Sequence, residues 1–280
     1  MSLVRQLVRR NLKMSSEGNS MRLICGLLAI AAWLVPNISL GAPERCGGLA
    51  FLDDKLTKEE RVAALNKRGA ACIREGNLMQ TITIYSEIIG LDPGNADAYL
   101  NRGSAYIQAR QFELGLADYS HVIQTKPNAT EAWYNRGTAF IAARQYDAGI
   151  ADLTEVVRQK PDFARAYCNR GMAYSEKSDY EKALADLDAG IQKDPSLPFC
   201  YFVRGEIYFR KADYQQAADD FTKGLQLKPD YPPGLVQRGR SYERLGVPEK
   251  ALADFKAALE IAPSFKDAQE GVRRLSAGQN

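Results

Sequence analysis

The chain has 280 residues, 45% hydrophobic and 25% charged, with 37 basic and 34 acidic side chains and a single histidine. The near balance of charge gives no electrostatic case for a nucleic-acid partner, which requires clustered lysine and arginine. One histidine leaves Ser-His-Asp and Cys-His nucleophile schemes without a convincing base.

Residues 1–42 read as a signal peptide. Met21-Arg22 precede the thirteen apolar or small residues Leu23 to Val35, then a Pro36-Asn37 break and Ser39-Leu40-Gly41-Ala42. A charged start, an apolar core and small residues at the end describe a secretory signal, with cleavage expected after Gly41 or Ala42. The alternative is a retained anchor, but thirteen residues fall short of the roughly twenty that span a bilayer. Met14 and Met21 are alternative starts, which would leave residues 1–20 untranslated. Arg9-Arg10 stands too far from the apolar core for a twin-arginine signal, and Cys25 and Cys46 lack the small-residue context of a lipoprotein site. This segment holds five basic residues and one acidic, so the remainder carries 32 basic against 33 acidic and the basic balance belongs to the part removed.

Residues 43–61 form a lead-in, in which Thr57-Lys58-Glu59-Glu60 is a capping box opening a helix. From Val62 to Phe265 a 34-residue pattern recurs six times: 62–95, 96–129, 130–163, 164–197, 198–231 and 232–265. In the third copy Trp133, Gly137 and Phe140 share one helical face, and Tyr146, Gly149, Leu153 and Val156 share another. A fold-back at Ala143–Gln145 pairs Trp133 with Leu153, Gly137 with Gly149 and Phe140 with Tyr146, the register of an antiparallel αα-hairpin. The recurrent glycines are Gly69, Gly103, Gly137, Gly171, Gly205 and Gly239. Pro93, Pro127, Pro161, Pro195, Pro229 and Pro263 end the second helices. Asn128, Asp162, Ser196, Asp230 and Ser264, which follow the prolines, are expected as N-caps. Pro248 fits a first helical turn. Residues 266–280 hold a capping helix, Lys266 to Leu275 with Ala268, Val272 and Leu275 on one face, and a tail.

The period and the W/Y-x-x-x-G-x-x-Y … A-x-x-x-F … P pattern resemble the tetratricopeptide repeat over 204 of the 280 residues. Cys72 and Thr81 depart from it in the first copy and Pro248 in the sixth. The resemblance implies an all-α, right-handed α-solenoid of six helix-turn-helix repeats with a C-terminal capping helix. It also implies that first helices line a concave groove for a protein or peptide partner. Carried over by position, that groove holds Leu100, Ser104 and Ile107; Tyr134, Thr138 and Ile141; Arg165, Cys168 and Met172; Phe199, Phe202, Glu206, Phe209 and Arg210; and Val236, Arg240, Glu243 and Arg244. Phe199, Phe202 and Phe209 are not needed for a hairpin core. With Arg210, Arg240 and Arg244 beside them, they suit an extended or helical peptide carrying an acidic element. The chaperone-tail clamp is not matched, because Leu100 and Ser104 stand where it needs Lys and Asn; Asn135 and Arg165 agree with it.

An arginine recurs at Arg68, Arg102, Arg136, Arg170, Arg204 and Arg238, and an aspartate at Asp118, Asp152, Asp186, Asp220 and Asp254, with Ile84 in the first copy. A feature repeated in every copy reads as structural: an Arg–Asp ladder within repeats or between them. Beyond the signal four cysteines remain. Cys46 and Cys72 are expected to bond, closing 27 residues and pinning the lead-in to the weakest repeat. Cys168 and Cys200 lie on neighbouring first helices, 32 residues apart rather than 34; a bridge is open there, and small buried or groove residues is the preferred reading. His121 sits where other copies carry Glu87, Glu155 and Lys223, a solvated face. There is no C-x-x-C, H-E-x-x-H or P-loop glycine pattern, and Asp219 and Asp220 point to different faces of a helix. The expectation is a non-catalytic exported scaffold without cofactor or metal, membrane-bound only if the N-terminal segment is retained. The alternatives are a structural self-assembling protein or a membrane-anchored assembly factor of the cell envelope.

Overall fold

The computed structural model describes Cys46 and residues 56–277, and the signal-peptide reading of residues 1–42 lies outside them. The described residues form thirteen helices and no strand: α1 Lys58–Arg74, α2 Leu78–Leu91, α3 Ala96–Gln108, α4 Phe112–Thr125, α5 Thr130–Ala142, α6 Tyr146–Gln159, α7 Ala164–Glu176, α8 Tyr180–Lys193, α9 Pro198–Arg210, α10 Tyr214–Leu227, α11 Pro232–Arg244, α12 Pro248–Ile261 and α13 Lys266–Ala277. Consecutive pairs pack as hairpins in the six predicted places, and α13 lies against α12 as the terminal helix. The capping box is present: Thr57 accepts from the Glu60 amide while Glu60 accepts from the Thr57 amide.

Each hairpin turns on a Schellman motif, in which a left-handed residue ends the helix and the next amide reaches back to the carbonyl five residues earlier. The amides of Asn77, Gln111, Gln145, Asp179, Asp213 and Val247 donate to the carbonyls of Cys72, Tyr106, Phe140, Tyr174, Tyr208 and Tyr242. The left-handed residue is glycine in the outer copies, Gly76 and Gly246, but Arg110, Arg144, Ser178 and Ala212 in the inner four.

Two sequence expectations need correcting. The N-caps of the first helices stand two residues after the prolines, at Asn95, Ala129, Phe163, Leu197 and Tyr231, and only Asn95 uses its side chain. Asn128, Asp162, Ser196 and Asp230 lie in the preceding turns, because the chain needs two residues to reverse direction after the proline. The backbone register is the predicted one, but the side chains interlock one turn away from the predicted pairing. The glycine backbones do meet, with the Gly137 carbonyl 2.9 Å from where a Cβ on Gly149 would stand. The side chain filling the space over Gly137 is Leu153, however, at 3.1 Å. Tyr85, Tyr119, Leu187, Phe221 and Phe255 do the same over Gly69, Gly103, Gly171, Gly205 and Gly239, so each first-helix glycine is the seat of a large second-helix side chain.

The Arg–Asp ladder is present and joins three helices at every rung. Nε and Nη2 of Arg102, Arg136, Arg170, Arg204 and Arg238 donate to both carboxylate oxygens of Asp118, Asp152, Asp186, Asp220 and Asp254 on the second helix of the same hairpin, at 2.7–2.9 Å. The remaining Nη1 reaches the second helix of the preceding hairpin, at Ser86, Ser120, Thr154, Asp188 and Thr222. Aromatic rings flank the guanidinium: Arg136 lies 5.0 Å from the centre of Trp133 and 5.7 Å from that of Phe140, so the aromatics of the motif serve the rung as well as the core. The aspartates hold Arg102, Arg170, Arg204 and Arg238 further above the usual guanidinium range. The rung of the fifth repeat, at Arg204, alone has a carboxylate at the third position. Burial pushes the Asp220 carboxyl up against the pull of Arg204, and the negative charges of Asp188 and Asp219 add to the rise.

These pairs are mostly shielded from water, with side-chain exposures of 18% for Arg136 and 6% for Asp152. Removing one partner therefore strands a charge, unlike the loss of a surface ion pair. In urea denaturation, Asp152→Ala is expected to cost about 2–3 kcal/mol. A double-mutant cycle with Arg136→Met should return a coupling of at least about 1 kcal/mol; additive losses would refute the ladder.

Candidate functional site

Successive first helices touch one another directly (α3 with α5, α5 with α7, α7 with α9, α9 with α11, α11 with α13), whereas successive second helices do not. The array therefore curves with first helices on the inside, and their free face is concave. Two adjoining hollows lie on it. One, of about 250 Å³, is lined by Tyr134, Arg165, Cys168, Asn169, Leu197, Phe199 and Cys200. The second, of about 270 Å³, includes Met172, Glu176, Phe199, Phe202, Glu206, Arg210, Tyr231 and Gln237 in its wall. Phe199 belongs to both, so the hollows form one trough across α5, α7, α9 and α11.

Phe199 is 39% exposed. Its position in other copies is occupied by Asp97, Glu131, Arg165, Pro233 and Asp267, a solvent-facing place with no packing demand for an aromatic ring. Tyr134 is half-buried, accepts a hydrogen bond from Asn169 Nδ2 at 2.9 Å and meets Phe163 edge-on, with ring centres 4.9 Å apart. Burial raises its hydroxyl pKa, against the pull of Asn169 and Arg165. Arg165 is exposed at the rim and forms no ion pair among the described residues.

Several residues assigned to the groove by position serve other ends. Leu100 is buried against Ala132 and its neighbours. Ile107 and Ile141 turn into the space left by Gly115 and Gly149, at 2.6 and 2.7 Å from where a Cβ would stand. The chain covaries with itself here: copies with alanine in place of that glycine, at Ala183, Ala217 and Ala251, carry Ser175, Phe209 and Glu243 instead of isoleucine. Phe202 lines the second hollow, but its ring is wedged between Gly224 and Gly234, 2.6 and 2.8 Å from their Cβ positions, and packs 4.7 Å from Tyr231. Phe209 sits edge-on to Tyr214 at 5.3 Å, outside both hollows.

The three arginines expected to greet an acidic ligand are already engaged. Arg210 donates to Glu206 at 3.1 Å and lies 4.0 Å from Glu176, and Glu206 also accepts from Gln237. Arg240 pairs with Asp267 at 3.1 Å, and Arg244 lies over the Tyr214 ring at 4.5 Å. His121 is half-buried and stacked on Tyr99, ring centres 4.1 Å apart, rather than free in solvent. Sequence reasoning missed Asn169, Leu197, Tyr231 and Gln237. The signal for two of them was present: Leu197 and Tyr231 are bulky apolar residues in a turn position that the first copy fills with Asn95.

Both cysteine pairs are bonded. Cys46–Cys72 is as expected, with the Cys46 amide also donating to Glu75 at 3.0 Å. The reading of Cys168 and Cys200 as unlinked small residues is overturned, and the spacing of 32 explains why. At each junction a first-helix side chain meets the small residue 32 positions on: Leu100 with Ala132, Tyr134 with Ala166, Phe202 with Gly234, Val236 with Ala268. Cys168 and Cys200 occupy those two places at the junction of the fourth and fifth copies, where the bond replaces the contact.

Tetratricopeptide-repeat family models match residues 100–158 and 134–198, then 198–231 and 232–265. The chain is a tetratricopeptide-repeat protein. No curated protein matches it in sequence. Among solved structures, Pseudomonas aeruginosa PilF aligns with a TM-score of 0.65 at 15% identity, over 76% of this chain and 97% of its own. A tetratricopeptide-repeat protein from Parabacteroides merdae aligns with a TM-score of 0.63 at 22% identity, over 77% and 84%. YrrB, a repeat protein whose structure is described as having an unusual peptide-binding site, gives a TM-score of 0.51 at 17% identity over 68% and 97%. At these identities the likeness shows the solenoid alone. Phe202 lines the trough and also packs a junction, between Gly224 and Gly234. Phe202→Ala is thus expected to lower stability by about 3–5 kcal/mol in chemical denaturation, as a core truncation would, whatever it does to binding.

Proposed function

We propose that this protein is an exported, non-catalytic scaffold that captures a peptide segment of another protein in the trough of its third to sixth repeats. The observation that carries this is Phe199, an aromatic ring left open to solvent where the first repeat carries Ala63 and the other repeats carry charge or proline, with a hollow on each side. Large apolar side chains exposed beside concavities are the usual anchors of an interface. Arg165 at one rim offers a free charge, while the Arg210–Glu206–Gln237 group closes the other rim as a neutral network. The favoured ligand is thus an extended segment with an apolar anchor over Phe199 and Met172 and its acidic element, if any, toward Arg165. A peptide-binding site in YrrB, on the same kind of array, supports the reading by analogy.

Export is supported by the signal-like composition of residues 1–42 and by two buried disulfides, which persist in oxidising compartments. None of the described helices is long and apolar enough to cross a membrane. Non-catalytic action accords with the dearth of histidine and with the open form of the trough, which does not seclude a reaction from water.

Phe199→Asp restores the sister residue of the second repeat, and the variant should fold with unchanged thermal stability. It should lose at least tenfold in retention of the partner that the native chain enriches from the exported fraction. Equal retention would refute the trough assignment. N-terminal sequencing of the protein from its producing cell should begin at Ala42 or Pro43; a sequence beginning at Met1, Met14 or Met21 would refute cleavage.

A further inference from the structure

The floor of the first hollow contains a covalent bond, and the surrounding residues make room for it. Cys168 and Cys200 are 1% and 0% exposed. The Cys168 sulfur occupies space that a Cβ on Gly190 would need, with the Ala164 carbonyl oxygen 3.2 Å from the same point. In the first three repeats the position of Gly190 is held by Ile88, Val122 and Val156, all fully buried. Gly190 is thus the concession that admits the bond, and Phe199 and Asn169 are the chain neighbours of its two ends.

We propose that the Cys168–Cys200 disulfide regulates ligand capture: oxidised, it holds α7 and α9 at the spacing that shapes the trough, and reduction releases that shape. This rests on the trough being the ligand site. The reductant is a dithiol. Its thiolate attacks one cystine sulfur, the S–S bond breaks and a mixed disulfide forms. Its second thiolate then expels the remaining cysteine, so two electrons and two protons pass to the protein and the reductant leaves as a disulfide. The two freed sulfurs must then separate from bonding distance to a non-bonded contact of about 3.5–4 Å. Gly190 and the Ala164 carbonyl close one side. Either α7 and α9 part, or one thiol swings into the hollow beside Arg165 and Phe199. Both outcomes deform the surface a ligand would touch. By linkage, a ligand that prefers the oxidised trough also protects the bond from reduction.

The test uses the full chain with Cys46–Cys72 intact and a phage-displayed library of random dodecapeptides, keeping those peptides lost on Phe199→Asp. Such peptides should bind Cys168→Ser/Cys200→Ser at least tenfold more weakly than the oxidised native protein. Amides of α7 and α9 should exchange hydrogen at least tenfold faster in that variant, with α3 unchanged. Cys168→Leu/Cys200→Ala, which copies the Leu100–Ala132 junction, should bind these peptides as the oxidised native protein does. Equal affinity for the serine variant, unchanged exchange in α7 and α9, or a leucine–alanine variant that binds as weakly as the serine variant would each overturn the inference while leaving the trough intact. A library yielding no Phe199-dependent peptide would defeat the trough reading, and the inference with it.

Discussion

One guanidinium in each repeat from the second to the sixth holds this array in register. Each arginine of the ladder spends two of its donors on an aspartate of its own hairpin and a third on the second helix of the hairpin before. The planar fork of arginine makes this possible; a lysine would bring a point charge and no fixed directions. Because the same side chain closes a hairpin and docks it on its predecessor, local folding and stacking are coupled. A linear array otherwise depends on nearest-neighbour interfaces of apolar contact alone. Aromatic rings above the guanidinium and a hydroxyl or carboxylate at its far end complete the rung.

The architecture was legible in the sequence because its period is strict. Helix pairs, turns and the terminal lid fall where spacing put them, and the arginine–aspartate pattern announced a structural role by its repetition. The backbones pair glycine with glycine as expected, but the side chains interlock one turn away, because each small residue seats a large one. Gly137 is small so that Leu153 can sit on it. The misplaced N-caps have a similar origin: a polar residue after proline looks like a cap, but the chain needs two residues there to reverse.

The trough was legible only in part. Position along the first helix named Tyr134, Arg165, Met172, Phe199, Phe202, Glu206 and Arg210, which line the two hollows. It could not tell which of its neighbours had been recruited inward, since that depends on the opposing helix: Ile107 and Ile141 fill glycine gaps that Phe209 and Glu243 do not have. Nor could a list of arginines reveal that Arg210, Arg240 and Arg244 already have partners. The second disulfide was hidden by expecting bonds between equivalent positions of successive copies, whereas the junction pairs positions offset by two.

The two ends of the array are finished by different chemistry. At the carboxyl end α13 lays Ala268 and Gly271 over Phe255, an apolar lid. At the amino end Ile84 has replaced the rung aspartate, and Cys72 has replaced the aromatic and is tied to Cys46. Whatever unzips this solenoid meets a covalent latch at one terminus and, at the other, a greased cover fastened at its rim by the Arg240–Asp267 and Arg274–Glu243 ion pairs.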